Sequence, residues 1–235
     1  MQVEESLSGP LLASVYDITG QNGAMGHSEY GNVATEAALV LSGAIGAEAR
    51  GIAQFRDRLH VSGSNIGDVA SITFRYHNLV EIVMPALAAD SFLYGDAYLT
   101  FHAFGSDGRF IDDVYQVAGP TAAVHEMHND FRSYTMNAIV GETIGIYFSA
   151  SAWIISQNWP QLPAQAQGQA RITFSSEFLP IELVGVENPV ITSASGHSYH
   201  LVQTIPEPNT LVSFTLLSIA AVLLANRVRT MPVSS

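Results

Sequence analysis

A chain of 235 residues, 48% hydrophobic and only 13% charged, carries enough apolar material for one sizeable core. The formal charge of −12, with all 9 basic residues arginine and no basic cluster in the body, argues against nucleic acid and anionic membrane surfaces as its partners. The absence of cysteine excludes thiol catalysis, iron–sulfur clusters and cysteine-ligated zinc, and leaves stability to the core alone.

The chain opens on Met1-Gln2-Val3-Glu4-Glu5, which is acidic where a secretory signal needs a positive n-region. Residues 37–47 are mildly apolar and end near Ala47-Glu48-Ala49, but Glu36 stands before them and no cation precedes them, so they read as a buried strand rather than an internal signal. Residues 32–49 also carry a weak helical pattern.

Period-2 alternation then dominates. Ala53, Phe55, Leu59 and Val61 point one way, interrupted only by Asp57, while Gln54, Arg56, Arg58 and His60 point the other. Ile72, Phe74 and Tyr76 alternate with Thr73, Arg75 and His77, and Leu99, Phe101 and Ala103 alternate with Tyr98, Thr100 and His102. Ile144, Ile146, Phe148, Ala150, Ala152 and Ile154 form one face of a long strand, opposite Tyr147, Ser149, Ser151 and Trp153. Ala170, Ile172 and Phe174 repeat the pattern around Arg171 and Thr173. One apolar and one polar face per strand is the pattern of antiparallel sheet. Turn signals separate the runs at Ser62-Gly63-Ser64-Asn65, Ser106-Asp107-Gly108, Ala118-Gly119-Pro120 and Glu187-Asn188-Pro189, with Asp107-Gly108 the clearest hairpin. Residues 125–133 suit a short helix, and residues 156–169, with Pro160 and Pro163, a polar surface loop.

Four constellations invite a chemical reading. His125-Glu126-Met127-His128 resembles half a metal site, but zincin geometry needs H-E-x-x-H, and no third ligand is spaced to join it; a solvated segment is the simpler reading. Asp107, Asp112 and Asp113 suit a solvated hairpin, with a Ca²⁺-stabilised loop as the alternative and a catalytic pair as the remotest. His60, His77 and His102 would cluster only if their strands were neighbours. Tyr98, Tyr147, Trp153 and Trp159 are core or sheet-edge aromatics, or else a sugar-stacking platform. No G-x-S-x-G elbow and no glycine-rich phosphate loop is present, so neither a catalytic residue nor a resident cofactor or metal is predicted.

The last thirty or so residues have their own order. Pro206, Glu207 and Pro208 make an extended hinge, because the prolines fix φ and disfavour helix before them. An uncharged segment follows, built on Leu211, Phe214, Leu216, Leu217, Ile219, Val222, Leu223 and Leu224. As a helix, residues 211–225 would reach roughly 22 Å at ~1.5 Å per residue, close to a thin bilayer crossing. Arg227 and Arg229 close it with a cytoplasmic stop.

This order of motif, apolar helix and basic end resembles the PEP-CTERM sorting signal of exported bacterial proteins. The resemblance implies a transient inner-membrane anchor, cut near Pro206-Glu207-Pro208 by an exosortase-like transpeptidase, and release to the cell surface or extracellular matrix. The body resembles PEP-CTERM ectodomains in two more places: Phe55 and Asp57 before Leu59-x-Val61, and Ala170-x-x-x-Phe174 followed by Ser193-x-Ser195-Gly196-x-x-Tyr199. An export address without a visible leader leads to the expectation that the true start lies upstream of Met1 or that the chain is truncated. The predicted architecture is all-β, an antiparallel jelly-roll-like β-sandwich over residues 1–203, then a single hydrophobic helix within a sorting tail over residues 204–235. The expected function is a surface-displayed or matrix-associated structural or binding protein, with exopolysaccharide or another envelope component as its partner and no enzymatic activity. A secreted, glycan-active hydrolase on the same scaffold is the rival.

Overall fold

The computed structural model describes residues 12–16, 23–42, 47–86, 91–105, 109–118, 122–158 and 167–203. The sorting motif, anchor and basic end named above lie outside these residues, as do Asp107 and Trp159. In chain order the strands are β1 (Leu12–Tyr16), β2 (Gly23–Glu29), β3 (Asn32–Ser42), β4 (Ala47–Ser62), β5 (Val69–Met84), β6 (Ser91–Phe104), β7 (Arg109–Ala118), β8 (Val124–Ile139), β9 (Thr143–Asn158), β10 (Gln167–Val184), β11 (Val190–Ser193) and β12 (Leu201–Gln203). No described residue is helical.

Among the described residues the pairs that build the two sheets, from β1 to β11, are antiparallel. A seven-stranded sheet runs β1-β2-β3-β10-β5-β8, with β12 on β10; a five-stranded sheet runs β11-β4-β9-β6-β7. From β3 to β10 the chain thus deals strands into the orders β3-β10-β5-β8 and β4-β9-β6-β7, two nested Greek keys. The alternation predicted for β4, β5, β6, β9 and β10 decides which side chains lie between the sheets. Phe55, Phe74, Phe101, Phe148, Ile72, Ile154 and Ile172 are all essentially inaccessible. Their rings meet at angles, Phe74 on Phe101 at 5.2 Å and Phe148 on Phe178 at 4.7 Å between centroids, the tilted packing that aromatic quadrupoles favour.

Two glycines allow the sheets to touch backbone to backbone on one side. A side chain at Gly26 would lie 2.0 Å from the Ile52 carbonyl oxygen, and one at Gly51 would lie 2.5 Å from that of Glu36. There β2 and β3 close down on β4, a contact only glycine permits. The opposite side, between β7 and β8, is spanned by side chains instead.

Two expectations are corrected. Of residues 32–49, weakly helical by pattern, 32–42 form β3 and 47–49 the start of β4: Val33, Ala37, Leu39 and Leu41 all point inward at period 2, and an alanine-rich strand imitates helical composition. Residues 125–133, expected as a short helix, are the first part of β8, paired without a break to β5 from Val124↔Met84 to Ile139↔Val69. After Val124 at its start, apolar residues return to the inward parity of β8 only at Tyr134, Met136 and Ala138. The first half carries Glu126, His128, Asp130 and Arg132 there, so the strand is imposed by pairing with β5 rather than by its own hydrophobic pattern. The predicted Asp107-Gly108 turn lies outside the described residues; β6 and β7 on either side of it pair antiparallel up to Ala103↔Arg109.

Candidate functional site

Three polar constellations stand out from the sandwich. The first surrounds Asp57, the residue that interrupts the inward face of β4 and is only 7% exposed. Its carboxylate accepts hydrogen bonds from the main-chain N–H of Arg58 (2.7 Å) and of Ser195 (3.1 Å), from the Ser195 hydroxyl, and from the Tyr199 hydroxyl (3.0 Å). Ala194 N–H completes the join by donating to the Arg58 carbonyl at 2.8 Å. The early-strand motif and the Ser-x-Ser-Gly-x-x-Tyr motif, 138 residues apart at Asp57 and Ser195, are therefore two halves of one clasp. Burial, and then the Asp57 charge, push the Tyr199 phenol well above its ordinary range.

The second lies on the side between β7 and β8. Asp113 accepts from Tyr76 (3.2 Å), from the Asn78 amide (3.1 Å) and from Arg132 Nε (3.0 Å). Asn78 also accepts from Ser176 (2.6 Å), and Tyr115 donates to Asp130 at 2.9 Å. Arg132 stands between the two carboxylates, 3.6 Å from Asp130. Asn78 and Ser176 are buried and mutually satisfied, as a polar pair in a core has to be. Burial raises the phenols of Tyr76 and Tyr115, the latter to about 12. Sequence reasoning passed over this network, although its signal is present: Asn78 and Ser176 occupy inward positions in runs that are otherwise apolar, as Asp57 does.

The third is the pair of outer sheet faces. On the five-stranded sheet, Tyr98, Tyr147 and Trp153 lie on one surface, as the platform reading required, joined by Tyr94. Trp153 Nε1 donates to Glu48 (2.8 Å), Tyr147 to Gln54 (2.8 Å) and Tyr94 to Asp96 (3.1 Å). These half-buried rings are interleaved with carboxylates, and burial raises the carboxyl of Asp96 above its usual range. On the seven-stranded sheet, the outer face holds a groove of about 380 Å³. Two register rows cross five strands through it: Met25, Glu36, Thr173, Glu81, Met127, and His27, Ala34, Ser175, Leu79, Asn129. The small side chains of Ala34, Thr173 and Ser175 form its floor. Arg171 holds Glu36 through both its Nε and a terminal nitrogen, at 3.0 and 3.2 Å, and His125 meets Glu81 at 2.9 Å.

The remaining expectations are sorted by this geometry. In a strand, His125 and His128 fall on opposite faces: His125 bonds Glu81 across the outer face, while His128 packs on the Tyr115 ring at 4.9 Å, so they do not share a ligand position. Asp112 and Asp113 diverge likewise, Asp112 accepting from Thr100 (3.1 Å) on the outer face. His77 lies in the seven-stranded sheet, stacked on Phe131 at 4.2 Å, whereas His60 and His102 lie in the other sheet on strands separated by β9, so the three do not cluster. Among the described residues, no group of three or more His, Asp or Glu is placed to hold a metal ion. No family model matches the chain, and no curated protein is significantly similar to it in sequence.

Proposed function

We propose that this chain is an exported structural or binding protein, delivered by a PEP-CTERM tail and processed by an exosortase-like transpeptidase. The observation that carries this reading is the order of the C-terminal residues: Pro206-Glu207-Pro208, then the uncharged segment holding Leu211, Phe214, Leu216, Leu217, Ile219, Val222, Leu223 and Leu224, then Arg227 and Arg229. In this reading the tail crosses the inner membrane transiently, and the body is released to the cell surface or matrix. The body lends support in two ways. The two ectodomain-like motifs meet at Asp57, which gives their residue types a shared structural reason. The nested Greek keys suit a jelly-roll module, and the outer aromatic face with Tyr98, Tyr147 and Trp153 offers ring stacking and hydrogen bonds to a glycan such as exopolysaccharide. The described carboxylates of the β7–β8 network are occupied by hydroxyl, amide and guanidinium donors, an arrangement suited to holding structure rather than to hydrolysis.

Intact mass of the protein recovered from its producing cells tests the reading. A form ending near residues 205–210, lost when Pro206, Glu207 and Pro208 are replaced by alanine, is the expected result. A full-length form that stays in the inner-membrane fraction would make the tail a permanent anchor and remove the matrix role.

A further inference from the structure

The free edge of the seven-stranded sheet is unusual. Natural edge strands are kept short, bulged, or studded with proline and charged side chains, because an open ladder recruits other strands. Strand β8 does carry inward charges, Glu126, Asp130 and Arg132, but they are of both signs and can pair across an edge as well as repel. Here β1 has 5 residues and β11 only 4, but β8 runs 16 residues at its sheet's end with an unbroken register and no proline. Among the described residues no strand pairs with its outer edge. It also exposes large apolar side chains, Met127 at 76% and Phe131 at 67%.

The order of residues along β8 is self-complementary about Asn129. If a second β8 lies antiparallel with Asn129 opposite Asn129, same-face neighbours fall in unlike pairs: His128 meets Asp130, Met127 meets Phe131, Glu126 meets Arg132 and His125 meets Ser133. A two-fold axis repeats every pair. Directly opposed unlike charges stabilise antiparallel pairing, and thioether–aromatic contacts add to it. Neighbouring registers are worse. An axis at Asp130 sets that carboxylate against itself, and an axis at His128 sets Glu126 against Asp130. An axis at Phe131 keeps Asp130 against Arg132 but leaves Glu126 facing Met136.

We infer that the outer edge of β8 is a homodimer interface: two copies pair antiparallel about Asn129, joining their seven-stranded sheets edge to edge. The outer-face row that ends at Met127 in one copy would continue through Phe131 and His77 of the other, so the groove faces merge into one surface. This stands apart from the sorting reading, since it rests only on the body.

Because the chain has no cysteine, the register is directly testable in the full-length protein in neutral detergent micelles. Asn129→Cys sits on the axis, where antiparallel neighbours have Cα atoms about 5 Å apart, within disulfide range. It is expected to form a covalent dimer under mild oxidant. Met127→Cys and Phe131→Cys, both at exposed positions, should each crosslink poorly alone but efficiently when the two variant proteins are mixed. Glu126→Arg should weaken the non-covalent dimer about tenfold, as an attractive pair on each side of the axis becomes a repulsive one. The inference is overturned if Asn129→Cys stays monomeric, or if Met127→Cys alone crosslinks as well as the mixture does.

Discussion

Asp57 and Asp113 are both carboxylates withdrawn from water on the inward side of the sandwich, yet they are satisfied in different ways. Asp57 takes two main-chain N–H groups and two hydroxyls, with no cation among the donors. Asp113 takes only side chains, and one of them is the half-exposed guanidinium of Arg132. The first arrangement uses a carboxylate as a substitute for strand pairing: it holds residues 194–199, which leave the sheet, against β4. The second uses a carboxylate to tie two sheets together where no backbone contact closes the gap. On the opposite side, the glycine contact at Gly26 and Gly51 performs that closure by close backbone approach, without a charged side chain.

The largest expected effect separates the two. Asp57→Ala removes the acceptor shared by Arg58 N–H, Ser195 N–H, the Ser195 hydroxyl and the buried Tyr199 hydroxyl. It leaves the join to β4 with Ala194 N–H on the Arg58 carbonyl, and costs about 3–5 kcal/mol over these donors together. Asp113→Ala should cost about 2–3 kcal/mol, because Arg132 keeps Asp130 and Asn78 keeps Ser176. Urea midpoints for the two variants check the order. Equal losses would mean that the clasp carries no more than the edge network does.

Both carboxylates also measure how far the sequence was legible. Alternation exposed the inward faces of β4, β5, β6, β9 and β10, because strands with one buried face must repeat at period 2. The same alternation marked Asp57 as an exception without naming its partners, since Ser195 and Tyr199 reach it only through the fold. The network around Asp113 was missed for a similar reason: Tyr76, Asn78, Tyr115, Asp130 and Ser176 come from four strands in two sheets. The first half of β8 failed outright. Beyond Val124 it carries polar inward side chains, Glu126, His128, Asp130 and Arg132, so the period that identifies a strand disappears there.

Alkaline pH probes both clusters at once. Tyr76 and Tyr199 have phenols raised by burial and then by Asp113 and Asp57 respectively; Tyr115 is pushed up to about 12. The unfolded phenol titrates near ~10, so the folded state holds these protons more tightly. Their contribution is intact below pH ~10 and is lost as pH rises through ~10 to 12 and beyond, at about 1.4 kcal/mol per pH unit for each group. Tyr199→Phe should therefore flatten the alkaline loss by one group's share while lowering neutral stability by about 1 kcal/mol. Stability measured from pH 8 to 12 decides; an unchanged alkaline slope in that variant would remove Tyr199 from the account.

The smallest effect sharpens the contrast in the donors themselves. Arg132 is 44% exposed, so its pairing with Asp113 and Asp130 is partly screened and Arg132→Gln should cost no more than about 1 kcal/mol. That cost should shrink further in molar salt, where the Debye length falls to ~3 Å. The Asp57 clasp contains no partner cation, so the loss in Asp57→Ala should be the same at low and high salt. Measurements at protein dilution low enough to keep the chain monomeric isolate these intramolecular terms from any pairing through β8. A salt-insensitive Arg132→Gln would place the guanidinium's role in its hydrogen bond to Asp113 rather than in longer-range charge, and the two carboxylates would then differ only in where their donors come from.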